Sequence, residues 1–330
     1  MWGNRVIQCA IVLLMVACSQ TGTEHGKNLT LCGASPSGLW SLLGAGIDAA
    51  VKQSFPGSTV TYQTSGGGFA NVRGLQEGRC DLAMIHDAEA TIAKIGSDPF
   101  DAPYTGLRTI AVLYSWAPLQ FIISRDFAEK YDVSSLEEIV EKKAPLRLLL
   151  NRRGNISSQI GEAMINAAGA TLKDIELWGG SVTFAASEEQ GDLMRDRRAD
   201  ALLNSVFVGH SSILQVADAL DVLLLPISEV TAKTVADQFK INTFIIPGGV
   251  YAWSPVDTLT VSLSAHLFAL DGSPDMIVGD VTTALIKNID KMRGIHSEMK
   301  PLTTELMASS NTVPYHDAAM KAFKAAGYMK

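Results

Sequence analysis

The chain is 330 residues long, room for two domains that each bury a core. Its 47% hydrophobic and 18% charged residues exclude a disordered or fibrous protein, and a net charge of −7 argues against nucleic acid or an anionic membrane surface as partner. A small anion stays open as a ligand, because a closed site is governed by its own N–H groups and one or two arginines.

The N-terminus, residues 1–27, reads as an export segment and tether. Met1–Arg5 carries a positive charge, Val6–Ala17 is apolar apart from Gln8, and no acidic residue precedes Glu24. That run is a secretory core too short to span a membrane. Met15-Val16-Ala17-Cys18 resembles a bacterial lipobox, so Cys18 is the expected lipidation site, on a chain held in the periplasm or at the outer face of a bacterial membrane. An ordinary signal peptide cut nearby would instead discard Cys18. Ser19–Lys27 is polar and tether-like.

Asn28–Cys32 is the first expected strand, followed by a turn rich in small hydroxyl residues, with Ser35 and Ser37. Leu39–Gln53 is a helix with Leu39, Leu42, Leu43, Ile47 and Val51 on one face. Gly44–Ala49 matches a dinucleotide fingerprint on paper, but its glycines lie inside this helical pattern. Ser35-Pro36-Ser37 lacks the trailing glycine of a nucleophile elbow.

Thr59–Glu89 organises the rest. Thr59–Tyr62 is strand-like, Gly66-Gly67-Gly68 permits a sharp turn and close approach to backbone N–H groups, and Asn71–Gln76 is helical up to the stop at Gly78. Asp81–Ile85 is a short apolar strand ending at His86-Asp87. Strand, glycine turn, helix and strand make a βαβ unit, and ligands bind at the carboxyl ends of such strands. Cys32 closes one strand and Cys80 opens another. On parallel neighbours their sulfurs would sit roughly 10 Å apart at ~3.3 Å per residue, whereas a disulfide needs Cα atoms within ~7 Å. Two unpaired buried thiols are expected.

Ala88–Ile95 is a helix. Leu107–Leu113 and Leu119–Ser124 are strands, expected to be separated where Pro118 breaks the ladder beside Tyr114 and Trp116. Arg125–Lys143 holds two helices, and the strand Leu146–Leu150 runs into Asn151-Arg152-Arg153-Gly154-Asn155-Ile156-Ser157-Ser158 before the helix Gln159–Ala168. Val182–Phe184, Ser187–Arg197, Ala199–Leu203, Ser211–Ala219 and Val222–Leu225 alternate strand and helix. The end of the third run brings Asn204, with Phe207 just beyond. Ile246–Trp253, containing Tyr251, is a second crossover before the strand Thr258–Leu263, and the helices of 275–328 are expected to pack back on the first domain. Crossings near 114–124 and 241–253 divide the chain into lobe I, 28–120 with 246–330, and lobe II, 121–245. The expected class is α/β, two hinged lobes that each carry a central sheet flanked by helices, with a ligand between them.

The six histidines and the cysteines show no metal-ligand spacing, and no phosphate-loop lysine follows the glycines. No metal, no cofactor and no catalytic set is expected. Binding residues are expected instead. Ser65, Gly66, Gly67, Gly68 and Asn71 sit at one helix N-terminus, and Asn155, Ser157 and Ser158 at another, where free N–H groups favour an anion. Arg152 and Arg153 would pair with a carboxylate. His86, Asp87, Trp40, Trp116, Asn204, Phe207 and Tyr251 complete the candidate set with Ser35 and Ser37. Each has a plainer account: a tight turn for the glycines, solvated surface for the arginines, a helix cap for Asp87, core packing for the aromatics.

In order and spacing, several segments together resemble TAXI-type substrate-binding proteins of TRAP (tripartite ATP-independent periplasmic) transporters. They are Thr64–Asn71 (S-G-G-S-x-x-N, with Gly68 where serine is usual), Gly78–Asp87, Arg198–Ala201, Ile246–Tyr251 and Pro314–Ala319. The resemblance spans about 28–328. It implies a type II-like periplasmic binding protein fold and a monomeric receptor that closes on a small solute, an organic acid or amino acid, and docks on the membrane permease subunits of a TRAP transporter. Receptors for ABC importers or sensor kinases, and a surface lipoprotein with no transport role, would share the fold. Departures from the family pattern fall in Gly33–Gly38, with Trp40 where tyrosine is usual, and in Gly154–Ser157.

Overall fold

The computed structural model describes residues 26–36 and 38–330; the export segment with Cys18, and the candidate Ser37, lie outside the described residues. The chain begins with three strand–helix units, β1 (Asn28–Cys32), α1 (Leu39–Ser54), β2 (Thr59–Gln63), α2 (Gly68–Gln76), β3 (Leu82–His86) and α3 (Asp87–Ile95). The long β4 (Leu107–Ser124) leads to α4 (Arg125–Tyr131), α5 (Leu136–Glu141), β5 (Arg147–Leu150), α6 (Ile156–Ala167), α7 (Leu172–Leu177), β6 (Ser181–Phe184) and α8 (Ser187–Arg195). Next come β7 (Ala201–Ser205), α9 (Ser211–Ala219), β8 (Val222–Leu224), α10 (Glu229–Phe239), β9 (Asn242–Ile246) and β10 (Thr258–Leu270). The chain ends in α11 (Asp275–Lys287), α12 (Ile289–Arg293), a 3-10 turn at Ser297–Met299, α13 (Thr304–Met307) and α14 (Asp317–Ala325).

The strands pair in the order β2-β1-β3-β10-β4-β7-β5-β6, with β8 also on β4 and β9 on β10. β1 runs parallel to β2 and β3, and β5 runs parallel to β6 and β7. The antiparallel β4 and β10 lie between these parallel halves: β4 pairs with β10 over its first part and with β7 from Leu119 to Ile123. Two parallel halves, covered by helices and joined through two long strands, make the two-lobed α/β fold expected from the sequence. The central strand β3 is apolar up to its terminal His86, with Leu82, Ala83, Met84 and Ile85 wholly buried, because helices cover both of its faces. The C-terminal helices do return to the first lobe, where Asn288 of the α11–α12 junction donates to Ser54 Oγ at 2.8 Å at the end of α1.

Two sequence expectations are overturned. Pro118 does not end a strand: β4 runs unbroken past it, with Pro118 opposite Ser262. One of three irregularities in the β4–β10 ladder falls just before the proline, where Ser115 and Trp116 stand against the single residue Ser264 in a bulge. Having lost its ladder partner, the Ser264 N–H donates instead to the Asp87 carboxylate at 3.2 Å. The second correction is Cys32 and Cys80, which form a disulfide with Cα atoms 5.7 Å apart. Counting residues along a strand failed because Cys80 precedes β3. Gly78 turns the chain at φ +68°, and the Arg79 and Cys80 N–H groups return to the Gly74 carbonyl, which brings Cys80 under α2. A Cβ at Gly74 would stand 3.1 Å from both sulfurs, so glycine lets the helix lie on the bridge.

Other differences are of extent. β10 continues to Leu270 because Ser264 and His266, polar in the sequence, are buried and satisfied, the latter through Ser310 Oγ at 3.3 Å from its Nδ1. α10, unforeseen, is capped by Ser228, whose hydroxyl accepts the Thr231 N–H at 3.1 Å.

Candidate ligand-binding cleft

The carboxyl ends of the parallel strands in both halves face one cavity of about 200 Å³. Ala34 and Ser35 follow β1, Gly67 and Gly68 follow β2, and His86 ends β3. From the other lobe come Asn151 after β5, Asn155 and Ser157 at the start of α6, Ser205 at the end of β7, and Val206, Phe207 and His210 after it. Tyr114, Trp116 and Ala117 of β4 lie between the two sets, and the bulge at 115–116 turns Trp116 toward the cavity.

Of the residues singled out from the sequence, the cleft gathers Ser35, Trp40, Gly67, Gly68, His86, Trp116, Asn155, Ser157 and Phe207. The others sit behind its wall or away from it. Asn71 is fully buried and donates from Nδ2 to the Gly33 and Met84 carbonyls, 2.7 Å each, tying α2 to β1 and β3. The Ser65 hydroxyl lies 2.6 Å from Gly33 O and accepts the Gly67 N–H at 3.0 Å, shaping the turn in which Gly66 stands and Gly67 takes φ +104°. Asp87 is buried and accepts from Ala88 and Ser264; desolvation pushes its pKa up to about 7. Ser158 donates to the Asn155 carbonyl at 2.7 Å, and Asn204 bridges Ser187 and Asn151, 2.9 Å each. The Tyr251 hydroxyl donates to Gln120 Oε1 at 2.7 Å and accepts the Gly209 N–H at 2.9 Å; Gln120 in turn donates to the Val206 carbonyl at 2.8 Å. That network holds the segment that presents Phe207. Arg152 and Arg153 are exposed and turn away. The Arg153 guanidinium stacks 3.9 Å over Phe184 and lines a separate cavity with Asp98 and Glu162.

The candidate set drawn from the sequence leaves out Glu89, Asn151 and His210, and also Tyr114, which the sequence sets beside Trp116 as either packing or ligand-facing; all four are on the cavity wall. Glu89, 3% exposed, reaches back from the first turn of α3: its Oε2 accepts the His86 backbone N–H and lies 3.1 Å from His86 Nδ1. A glutamate three residues past the cap residue of a helix, here His86, is a readable capping signal. The carboxylate packs against the α carbon of Gly68, where any Cβ would collide with it. Trp40 Nε1 donates to the Tyr114 hydroxyl at 3.0 Å, and that hydroxyl lies 3.5 Å from His86 Nε2. Burial pushes the Tyr114 pKa well above its ordinary value, so the phenol keeps its proton. Burial also lowers the pKa of His210, which leaves that ring neutral at pH 7. No lysine or arginine lines the cleft among the described residues.

A larger surface hollow of about 530 Å³ opens at the opposite edge of the second lobe's strands. Four of its charged groups pair off, Arg147 with Asp200 at 2.6 Å and Arg197 with Asp126 at 3.2 Å. The strand-end cleft is the candidate site.

The profile of the NMT1-like family matches residues 31–327. Among solved structures the chain is similar to MatC from Rhodopseudomonas palustris with bound malate, at 13% identity over 83% of this chain and 88% of that one, with a TM-score of 0.52. It is also similar to the periplasmic binding protein BugD, at 16% identity over 93% and 99% of the two chains and a TM-score of 0.49. A TctC solute binding protein from Polaromonas gives 12% identity over 84% and 90%, with a TM-score of 0.49.

Proposed function

We propose that this chain, which belongs to the NMT1-like family, is an extracytoplasmic solute receptor. It takes one small solute between its lobes and delivers it to a membrane transporter. The observation that carries the reading is the convergence of strand-end loops from both halves of the sheet on one small cavity, crossed by β4 and bordered by helix N-termini from both lobes. Lobe I, 28–120 with 246–330, closes on lobe II, 121–245, by bending near 114–124 and 241–253. The wall supports binding over catalysis: Trp40, Tyr114 and His86 are bonded to one another, and no nucleophile pairs with a base across the cavity among the described residues.

The finer reading follows the motifs. A receptor of the TAXI kind works as a monomer, is exported through residues 1–27, is held at the membrane by lipid on Cys18, and docks on TRAP-type permease subunits. Of the two solute classes the sequence pointed to, Glu89 supports an amino acid over an organic acid, since it sets a carboxylate where an acid would approach.

Native mass spectrometry of the purified mature chain tests the receptor reading. A stoichiometric small-molecule adduct, released unchanged on denaturation, is the expected result. Conversion of the bound compound into a product would replace the reading with an enzyme.

A further inference from the structure

The geometry points to a ligand with a cationic nitrogen, held by Glu89 and an aromatic wall; this rests on the receptor reading of the same cleft. Four observations carry it. First, the α2 N-terminus, the obvious seat for an anion, is already occupied, because the Glu89 carboxylate lies against Gly68 at the first residue of the helix. A ligand carboxylate placed there would meet a resident one.

Second, the hydrogen bonds around Glu89 have one direction. The Trp40 indole can only donate, and it donates to Tyr114 Oη at 3.0 Å. The Tyr114 proton is then directed to His86 Nε2, 3.5 Å away, which leaves Nδ1–H to donate to Glu89 Oε2 at 3.1 Å. The chain ends on Glu89. In that arrangement the imidazole gives the Glu89 carboxylate a hydrogen-bond donor. Oε2 receives both His86 donors, and Oε1 has no protein partner among the described residues.

Third, no lysine or arginine lines the cavity among the described residues, and burial shifts His210 away from protonation. Fourth, Trp40, Tyr114, Trp116 and Phe207 all line the cavity, and aromatic faces beside a carboxylate are the environment that binds ammonium groups. At about 200 Å³ the space suits a small ligand. The neutral polar groups of the second lobe, Asn151, Asn155 and Ser157, are placed to take the ligand's polar far end.

Calorimetric titration of the mature chain tests this with matched probes: choline, n-butylammonium and the common amino acids against malate, glutarate and butyrate. Binding confined to probes with a cationic nitrogen is expected, with affinity at least ten-fold weaker in Glu89→Gln, which preserves shape and removes charge. Trp116→Leu leaves the Glu89 network intact and should weaken the same probes by about five-fold. In Gly68→Ser the added side chain must displace the Glu89 carboxylate, so the nitrogen preference should collapse even where Glu89→Gln folds poorly. Equal or tighter binding of a nitrogen-free acid would overturn the inference and leave the receptor reading standing, as would a co-purified solute without a basic nitrogen. Failure of every probe, cation and anion alike, would overturn both.

Discussion

Among the helices that begin at the cleft, α2 from one lobe and α6 from the other are finished in different ways. At α2 the cap is Gly67, whose backbone offers no side-chain acceptor, and the positive end of the helix is met by Glu89, arriving from the start of α3. At α6 the cap is Asn155, whose Oδ1 accepts the Ser157 N–H at 2.9 Å; the end is satisfied by a neutral group of its own segment. One corner therefore carries a full negative charge against the cavity, the other only dipoles. A glycine-rich turn before a helix marks where a ligand sits. The sign of what it binds depends on which side chain from elsewhere in the chain has filled the turn.

The corners also differ in how they are held. A disulfide closing 48 residues lies under α2, while α6 rests on packing and on the Ser158 bonds to the Arg152 and Asn155 carbonyls. Replacing Cys32 and Cys80 together by alanine should cost about 4 kcal/mol, the loop-entropy value for a closure of this length. Urea unfolding would read the loss. Hydrogen exchange sharpens the comparison: α2 amides should lose protection while α6 amides keep theirs, and an equal loss in both helices would show that the bridge steadies the whole molecule.

A second contrast is titration. Behind the first corner, buried Asp87 and His266 have pKa values moved to about 7 and about 3. Asp87 is raised by desolvation above its unfolded value of 3.8, so the folded chain holds a proton that the unfolded chain has released between about pH 4 and 7. Its contribution to stability is favourable at low pH and is lost as pH rises through that window. His266 is lowered from 6.5 by desolvation, and its contribution has the opposite slope, lost as pH falls from 6.5 toward 3. The two slopes oppose each other over most of their range. Asp87→Asn should uncover the histidine slope, a stability that climbs with pH by up to ~1.4 kcal/mol per unit relative to wild type. His266→Phe should uncover the reverse. Melting temperatures of the three proteins between pH 4 and 7 check the sign, and parallel curves would remove both groups from the account.

Much of this was legible in the sequence. The strand pattern of β1 to β3, the helix read as Leu39–Gln53 and found as Leu39–Ser54, and the polar strand ends follow from periodicity and turn chemistry, which act over a few residues. What stayed hidden depends on long-range placement. Glu89 looks like an ordinary first-turn glutamate until α2 is seen to pack Gly68 against it. The disulfide needed the curl at Gly78, and the length of β10 needed partners for Ser264 and His266 that lie far along the chain. Gly68, standing where the resembling family has serine, was the one local sign: a missing side chain marks the place that another one fills.

The smallest effects belong to the second corner. Asn155→Ala removes the acceptor for the Ser157 N–H and should cost ~1 kcal/mol of stability, as loss of a helix cap does. It also removes a neutral group from the cavity wall, so it should weaken every probe by a similar small factor, without altering preference between cation and anion. Arg153→Ala, two residues away, provides the comparison: its guanidinium lies on Phe184 and faces another cavity, and ligand affinity should change by less than about two-fold. Calorimetry on both variants separates the possibilities. A large loss of affinity for malate or glutarate in Arg153→Ala would mean that the arginine swings into the cleft when the lobes close. The second corner would then carry a positive charge opposite Glu89, and the cleft would be built for a ligand with both signs.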